Sequence, residues 1–183
     1  MSFSGARLVL AGATLAALAG CSVFSKPAPT PPCPRVSLVP DASDGTFYRE
    51  GPGRDLTDVR FRAAIGDARG QCDYRGDTLR MDMAVLLLAE RGPALGDREP
   101  ADFEYFVALT DEQRRIVSKA VFKGRVVFPA GQEKVGFPDE LTIGPVQLAN
   151  PDLGPDYTIL LGLQLTPEQL EANRRRGPRR TAP

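Results

Sequence analysis

The feature that most constrains the fold of this chain is a two-residue alternation of apolar side chains between residues 59 and 165. Successive side chains of a β-strand point to opposite faces, so this period predicts strands with one buried face. The clearest rows are Val59, Phe61, Ala63, Ile65; Leu79, Met81, Met83, Val85, Leu87; Phe103, Tyr105, Val107, Leu109; and Tyr157, Ile159, Leu161, Leu163, Leu165. No strong amphipathic helix separates them, so the βαβ rhythm of a parallel sheet is missing.

These patterns predict an all-β domain of seven to eight strands. The predicted strands span residues 36–39, 58–65, 78–90, 102–109, 116–128, 134–137, 140–146 and 157–165, and residues 41–55 are predicted to be a loop. An antiparallel two-sheet sandwich that resembles immunoglobulin and fibronectin type III domains in architecture fits best. The chain has no tryptophan, so the resemblance is to that layout and not to the antibody family. A small closed barrel is the alternative.

Several strand residues depart from simple alternation. Leu86 and Leu88 are apolar on the polar face of their strand, which indicates that this end is covered on both faces. For Phe106 a covering sheet is the preferred expectation, and exposure to solvent is the alternative. The strand 116–128 alternates differently, because one face combines cations with valines: Lys119, Lys123 and Arg125 with Val117, Val121 and Val127.

A short C-terminal helix, to about Arg175 and ended by Gly177-Pro178, is predicted after the last strand. Thr166 suits an N-cap, Pro167 the first helical position and Gln169 the third, which completes a capping box. Residues 33–170 are assigned to the β-domain and residues 171–183 to a basic tail expected to be disordered. The tail arginines are candidates for contact with anionic lipid head groups, and the alternative is a solubilising terminus. They are Arg174, Arg175, Arg176, Arg179 and Arg180.

The N-terminus has the form of an export signal. Arg7 precedes an uncharged apolar run from Leu8 to Leu18, which has the length of a signal-peptide core and is too short to span a bilayer. The run ends in Leu18-Ala19-Gly20-Cys21, which resembles the lipobox of bacterial lipoprotein precursors. The alternative is an ordinary secretory signal with a chance cysteine.

The lipobox resemblance covers roughly the first twenty residues, and it implies a location. In that family the cysteine thiol takes a diacylglycerol, the chain is cut before it, and the new amine is often acylated. The resemblance therefore implies a removed signal peptide (1–20), a lipid on Cys21 and a membrane anchor. Ser22, rather than aspartate, follows the anchor, which by resemblance favours the outer membrane, facing the periplasm. Residues 21–32 would form a proline-rich, semi-stiff linker.

The anchor leaves two of the three cysteines, Cys33 and Cys72, to be placed. In an oxidising compartment an even pair is most simply a disulfide. The loop of about 40 residues would make it worth roughly 4 kcal/mol in the chain-entropy model. Two free thiols or a metal pair are the alternatives, but without histidine two thiolates make a poor zinc site. No metal or cofactor is expected.

Charge and composition exclude several functions. The chain has 23 basic and 23 acidic residues, but residues 33–170 hold 16 basic and 22 acidic ones, a net charge of −6. An acidic body argues against a nucleic-acid partner. The absence of histidine removes Ser-His-Asp and Cys-His catalysis and the usual general base. Residues 41–45 resemble a calcium loop only loosely, because the glycine comes one position early.

Three functions remain as hypotheses. The first is a non-catalytic binding or assembly module that is held to the membrane by lipid and contacts another envelope protein. The second is a carrier of a lipid or other apolar ligand, lined by Leu86, Leu88, Leu160 and the Val117/Val121/Val127 row. The third is an enzyme that uses carboxylates alone, such as Asp139/Glu140 or Asp111/Glu112. The first is the hypothesis we prefer, and it predicts no enzyme activity.

Overall fold

The computed structural model describes residues 31–150, 154 and 156–177. They form eight strands and one α-helix. The strands are β1 (Arg35–Leu38), β2 (Asp44–Tyr48), β3 (Val59–Arg75), β4 (Thr78–Arg91), β5 (Ala101–Thr110), β6 (Ile116–Val126), β7 (Lys134–Gln147) and β8 (Thr158–Leu163), and the helix is α1 (Pro167–Arg176). Short 3₁₀ turns precede β2 and β3.

The strands form two separate four-stranded sheets, in the orders β1-β8-β5-β6 and β2-β3-β4-β7. All neighbours are antiparallel except β1 and β8, which are parallel. The predicted two-sheet sandwich is confirmed. Three consecutive strands, β2 to β4, form a meander within one sheet. The likeness to immunoglobulin domains therefore lies in the two-layer architecture rather than in strand order.

The core lies between the sheets and is built from the predicted alternating rows. The rows that begin at Val59, Leu79 and Phe103 are buried throughout. Phe47 adds an aromatic cluster, with its ring 4.6 Å from that of Phe61 and 6.2 Å from that of Phe103. Burial of each large apolar side chain contributes about 1.5–3 kcal/mol.

Two strand predictions were wrong. Residues 44–48 were assigned to a loop, but they form β2, which pairs with β3 and brings Phe47 onto Phe61. The segments 134–137 and 140–146 were assigned to separate strands, but β7 is continuous and pairs with β4 along its length. Pro138 does not end it, because a proline is tolerated where an edge strand turns its nitrogen to solvent.

The apolar residues that break the alternation of β4 lie on the outside. Leu86 and Leu88 are exposed on the outer face of their sheet, so the expectation of cover on both faces was wrong for the described residues. Phe106 is half-buried on the outer face of the other sheet, where Lys119 Nζ lies 4.6 Å from the ring centroid. A lysine, and not a second sheet, covers that ring.

The capping box of α1 is present as predicted: Thr166 Oγ1 accepts from the Gln169 amide at 3.2 Å, and the Gln169 side chain accepts from the Thr166 amide at 2.9 Å. The helix continues to Arg176, with Gly177 at its C-cap, which agrees with the predicted end near Arg175, so residues 171–176 belong to the helix. Among the described residues, no helix has the length and apolar character needed to cross a bilayer.

Candidate interaction surface

The two body cysteines meet where the chain enters the sandwich. The Cα atoms of Cys33 and Cys72 are 5.7 Å apart, so the predicted pair is capable of a disulfide. Nearby, the Tyr74 hydroxyl donates to the Pro32 carbonyl at 3.0 Å. Cys33 precedes β1 of one sheet and Cys72 lies in β3 of the other, so the pair joins the sheets at this end. Cys21, the predicted lipid site, is outside the described residues.

The arginines of α1 face acids of the same chain. Arg174 pairs with Asp41 and Arg176 with Asp44, each at 3.2 Å. Arg175 lies 3.6 Å from Glu171, one turn earlier on the helix. These contacts turn part of the predicted anionic-lipid surface towards the domain. Arg179 and Arg180 are outside the described residues.

The same ion pairs occupy the loosely calcium-like segment at residues 41–45. The carboxylates of Asp41 and Asp44 face arginines of α1. Among the described residues, no group of three or more acidic, cysteine or histidine side chains is placed to hold a metal.

The groove between α1, β2 and the loop 49–58 has a volume of about 1150 Å³. Its arginines are held by acids. Arg54 binds both carboxylate oxygens of Glu168, at 3.0 and 3.2 Å, and this hydrogen bonding holds the pKa of Glu168 below its usual range. Arg49 pairs with the buried Asp58 at 2.5 Å. The groove walls are therefore tied together by charge pairs.

The interior leaves almost no space for a ligand. The cavity between the sheets, lined by Leu79, Val107 and Ile143 among others, has a volume of about 10 Å³, whereas small-molecule sites span roughly 300–1,000 Å³. Most of the residues predicted to line a carrier cavity lie on outer faces instead: Leu86, Leu88, Val117, Val121 and Val127 are exposed. The described residues enclose no internal cavity of that size. The carrier hypothesis stays a prediction.

The two carboxylates of the predicted pair Asp139/Glu140 do not share one cleft, because Asp139 points inward and Glu140 lines a surface pocket with Asp82. Asp139 accepts a hydrogen bond from the fully buried Tyr105 hydroxyl at 2.7 Å, while its neighbour Glu140 is exposed. Burial, and then Asp139, raises the pKa of Tyr105 far above its usual value. Asp111 binds the amide and guanidinium of Arg115 within the β5–β6 turn. These contacts are structural in character.

The sheet edges offer a different kind of site, because an edge strand presents unpaired main-chain groups that can pair with another strand. The edge at β2 is covered by α1. Gln169 Nε2 donates to the Thr46 carbonyl at 2.9 Å, and Asn173 Nδ2 donates to the Asp44 carbonyl at 2.6 Å. Four helical residues advance about 6 Å and two strand residues about 6.7 Å, so the two amides match the spacing of the carbonyls.

The edge at β7 is protected by its own sequence. It contains Pro138 and Pro145, which lack a donor, and Gly144 with a φ of +103°. Asp139 points inward, which is a recognised protection against edge pairing. The edge at β1 is only four residues long, and Cys33 stands two residues before it.

Among the described residues, the edge at β6 has neither a covering helix nor a proline. It has two other features that limit edge pairing, its lysines and a register shift near Val117. β6 is eleven residues long, contains no proline and has β5 as its only strand neighbour. Side chains along it and just beyond it are open to solvent, with Ile116 64%, Val121 49% and Val127 66% exposed.

The direction of the β6 main chain follows from its neighbours. The Gln164 amide, just after β8, donates to the Glu104 carbonyl at 2.8 Å, so Glu104 turns its main-chain groups towards β8. Lys123 lies opposite Glu104 in the β5–β6 register. Opposite residues of antiparallel strands alternate between hydrogen-bonded and non-hydrogen-bonded pairs. Because the main-chain groups of Glu104 bond to β8, Glu104 and Lys123 form a non-hydrogen-bonded pair. Lys123 therefore turns its N–H and C=O away from β5. The same holds for Lys119, Val121 and Arg125, and we call these main-chain groups the free edge of β6.

Cations line the outer face beside the free edge. Arg125 binds both carboxylate oxygens of Asp102, at 2.7 and 3.0 Å, and these hydrogen bonds hold the pKa of Asp102 below its usual range. Lys119 reaches across β5 towards Phe106 and Gln164. The sequence shows this row of three cations and three valines, but it does not show that their strand is an edge.

Comparison with known proteins adds no functional assignment: no protein-family model, no curated protein and no solved structure matches this chain.

Proposed function

We propose that this chain is a bacterial lipoprotein, anchored through Cys21, whose β-domain is a non-catalytic module that binds another envelope protein through the free edge of β6. The observation that carries the binding surface is that edge: alternate residues from Lys119 to Arg125 turn their main-chain groups away from β5, beyond a register shift near Val117, and Val121 is exposed. Strand addition to such an edge is a common mode of peptide recognition.

The anchor rests on the lipobox and agrees with where the chain enters the domain. Arg35 lies beside Thr158, Thr158 beside Thr110, and Thr110 beside Ile116. The start of β6 therefore lies at the same end of the sandwich as the start of β1. An anchor at Cys21 would place this end nearest the membrane, and the free edge would extend about 35 Å away from it.

The anchor is tested by metabolic labelling of the full precursor with an alkyne fatty acid in a bacterial host. We expect label on the wild type and none on Cys21→Ala. The matched control, Cys33→Ser with Cys72→Ser, keeps Cys21 and should stay labelled. An unlabelled wild-type protein would reject lipidation.

The binding surface is tested by placing a photo-crosslinking amino acid in the full chain in its native envelope, at Val121 on β6 or at Arg80 on the outer face of the other sheet. We expect a discrete protein adduct from position 121 and none of the same mass from position 80. Loss of the adduct in Val121→Pro, with the crosslinker moved to position 119, would support pairing at the free edge. Identical adducts from both sheets, or none at β6, would reject this surface.

A further inference from the structure

We infer that the segment which pairs with the free edge of β6 is an extended strand with acidic side chains opposite Lys119, Lys123 and Arg125. This inference rests on the proposed function and names the chemistry of its partner. It follows from the main-chain direction of β6, the charge of its outer face and the way the other three edges are protected.

The main chain selects an extended partner. The residues whose N–H and C=O groups form the free edge, Lys119 to Arg125 in alternation, are also the residues whose side chains lie on the outer face. A strand that pairs there would lay every second side chain beside those residues. Recognition therefore depends on alternate positions of the partner.

The charges select an acidic partner. β6 has three cations and no acid, within a body of net charge −6. Arg125 is already paired with Asp102 of β5, whereas Lys119 and Lys123 have no ion pair among the described residues. Opposite charges on directly facing residues stabilise a strand pair and like charges destabilise it. Val117, Val121 and Val127 alternate with the cations and provide an apolar row, so the best partner combines acids with apolar residues on its outer face.

The same charges disfavour a second copy of this chain. The register that fully overlaps two antiparallel copies of β6 is centred on Val121. It would set Lys119 of each copy opposite Lys123 of the other. Amide side chains cover the edge at β2 and prolines interrupt the edge at β7. Both features prevent pairing with a further strand, whatever its charge. The cations on β6 act against cationic strands and its own copy, and they favour an acidic one.

The test uses the full chain and two fluorescein-labelled eleven-residue peptides that differ only in sign, one alternating Val with Glu and one alternating Val with Lys. We expect the acidic peptide to bind at least tenfold more tightly, with affinity that falls as salt rises. Amide exchange read by NMR should slow in β6 when the acidic peptide is bound. Equal affinity of the two peptides would overturn the inference.

Variants separate edge pairing from general charge attraction. Val121→Pro removes an N–H that faces solvent and should abolish acidic-peptide binding, whereas Val121→Thr keeps the N–H and should retain it. Lys119→Glu with Lys123→Glu should reverse the preference between the peptides. Unchanged binding to Val121→Pro would show attraction without strand pairing and would overturn the inference.

The outcomes also separate this inference from the proposed function. A protein adduct at position 121 together with equal binding of the two peptides would leave the function standing and reject the acidic partner. A concentration-dependent dimer that Val121→Pro abolishes would identify a second copy as the occupant and reject the acidic partner too. Absence of any adduct at β6 would reject the function itself.

Discussion

The edges at β2 and β6 belong to one sandwich, but a helix covers the first and no element covers the second among the described residues. At β2, Gln169 and Asn173 donate to the outward carbonyls of Thr46 and Asp44, so a helix takes the place of a fifth strand. At β6, the corresponding groups point away from β5, beside a row of cations and valines. The difference indicates that β2 is closed for stability, whereas β6 keeps a surface that can select a partner by charge.

The largest expected effect concerns the predicted disulfide beside the β1 edge. Cys33→Ser with Cys72→Ser removes a cross-link over 39 residues, and we expect it to lower the free energy of unfolding by about 4 kcal/mol. Urea denaturation of the oxidised protein measures this loss. The oxidised wild type treated with reductant should move to the same midpoint, and a midpoint shared by the untreated wild type and the variant would contradict the prediction.

The next effect concerns the cover of β2. Asn173 is buried and donates to the carbonyls of both Asp41 and Asp44, so Asn173→Ala leaves two acceptors without these donors. We expect a loss of about 2–3 kcal/mol in the free energy of unfolding. Glu171→Ala, on the exposed side of the same helix, is the matched control and should change it by less than about 0.5 kcal/mol. Equal midpoints for the two variants would show that α1 does not stabilise this edge.

A smaller effect is expected at the free edge of β6. Val121→Pro removes no hydrogen bond within the sheet, so we expect it to change the free energy of unfolding by less than about 1 kcal/mol. Ala120→Pro, one residue earlier, removes a donor that faces β5 and should be clearly more destabilising. Thermal melts followed by circular dichroism compare the two. Similar melting of both variants would show that the main-chain direction assigned to β6 is wrong.

The smallest effect is a pH dependence of the contact between α1 and the loop 49–58. Hydrogen bonding to Arg54 lowers the pKa of Glu168, so this pair stabilises the fold above the unfolded pKa of a glutamate, and the contribution is lost as pH falls through the lowered folded value. NMR titration of the carboxylate should show its pKa rise towards the ordinary value in Arg54→Ala. An unchanged pKa would argue against the pair in solution.

Much of the fold was predictable because it depends on local periodicity. The rows beginning at Val59 and Leu79 point inward as their alternation requires, and the capping box at Thr166 and Gln169 forms as its sequence predicts. Strand β2 was not predictable, because its five residues contain Asp, Gly and Thr and depend on pairing with β3. Leu86 and Leu88 were wrongly predicted to be covered, because a strand with apolar residues on both faces does not show which face is exposed to solvent.

The sequence by itself determined most of the strands and the alternating rows that face the core, since these follow from local periodicity. Only the tertiary structure decided which strands lie at the edges and what closes each of them. The amide of Gln169 reaches a carbonyl 123 residues away, and β6 is an edge because β8, from the end of the chain, pairs with the other side of β5. Such neighbours depend on contacts between distant segments, and no local pattern encodes them.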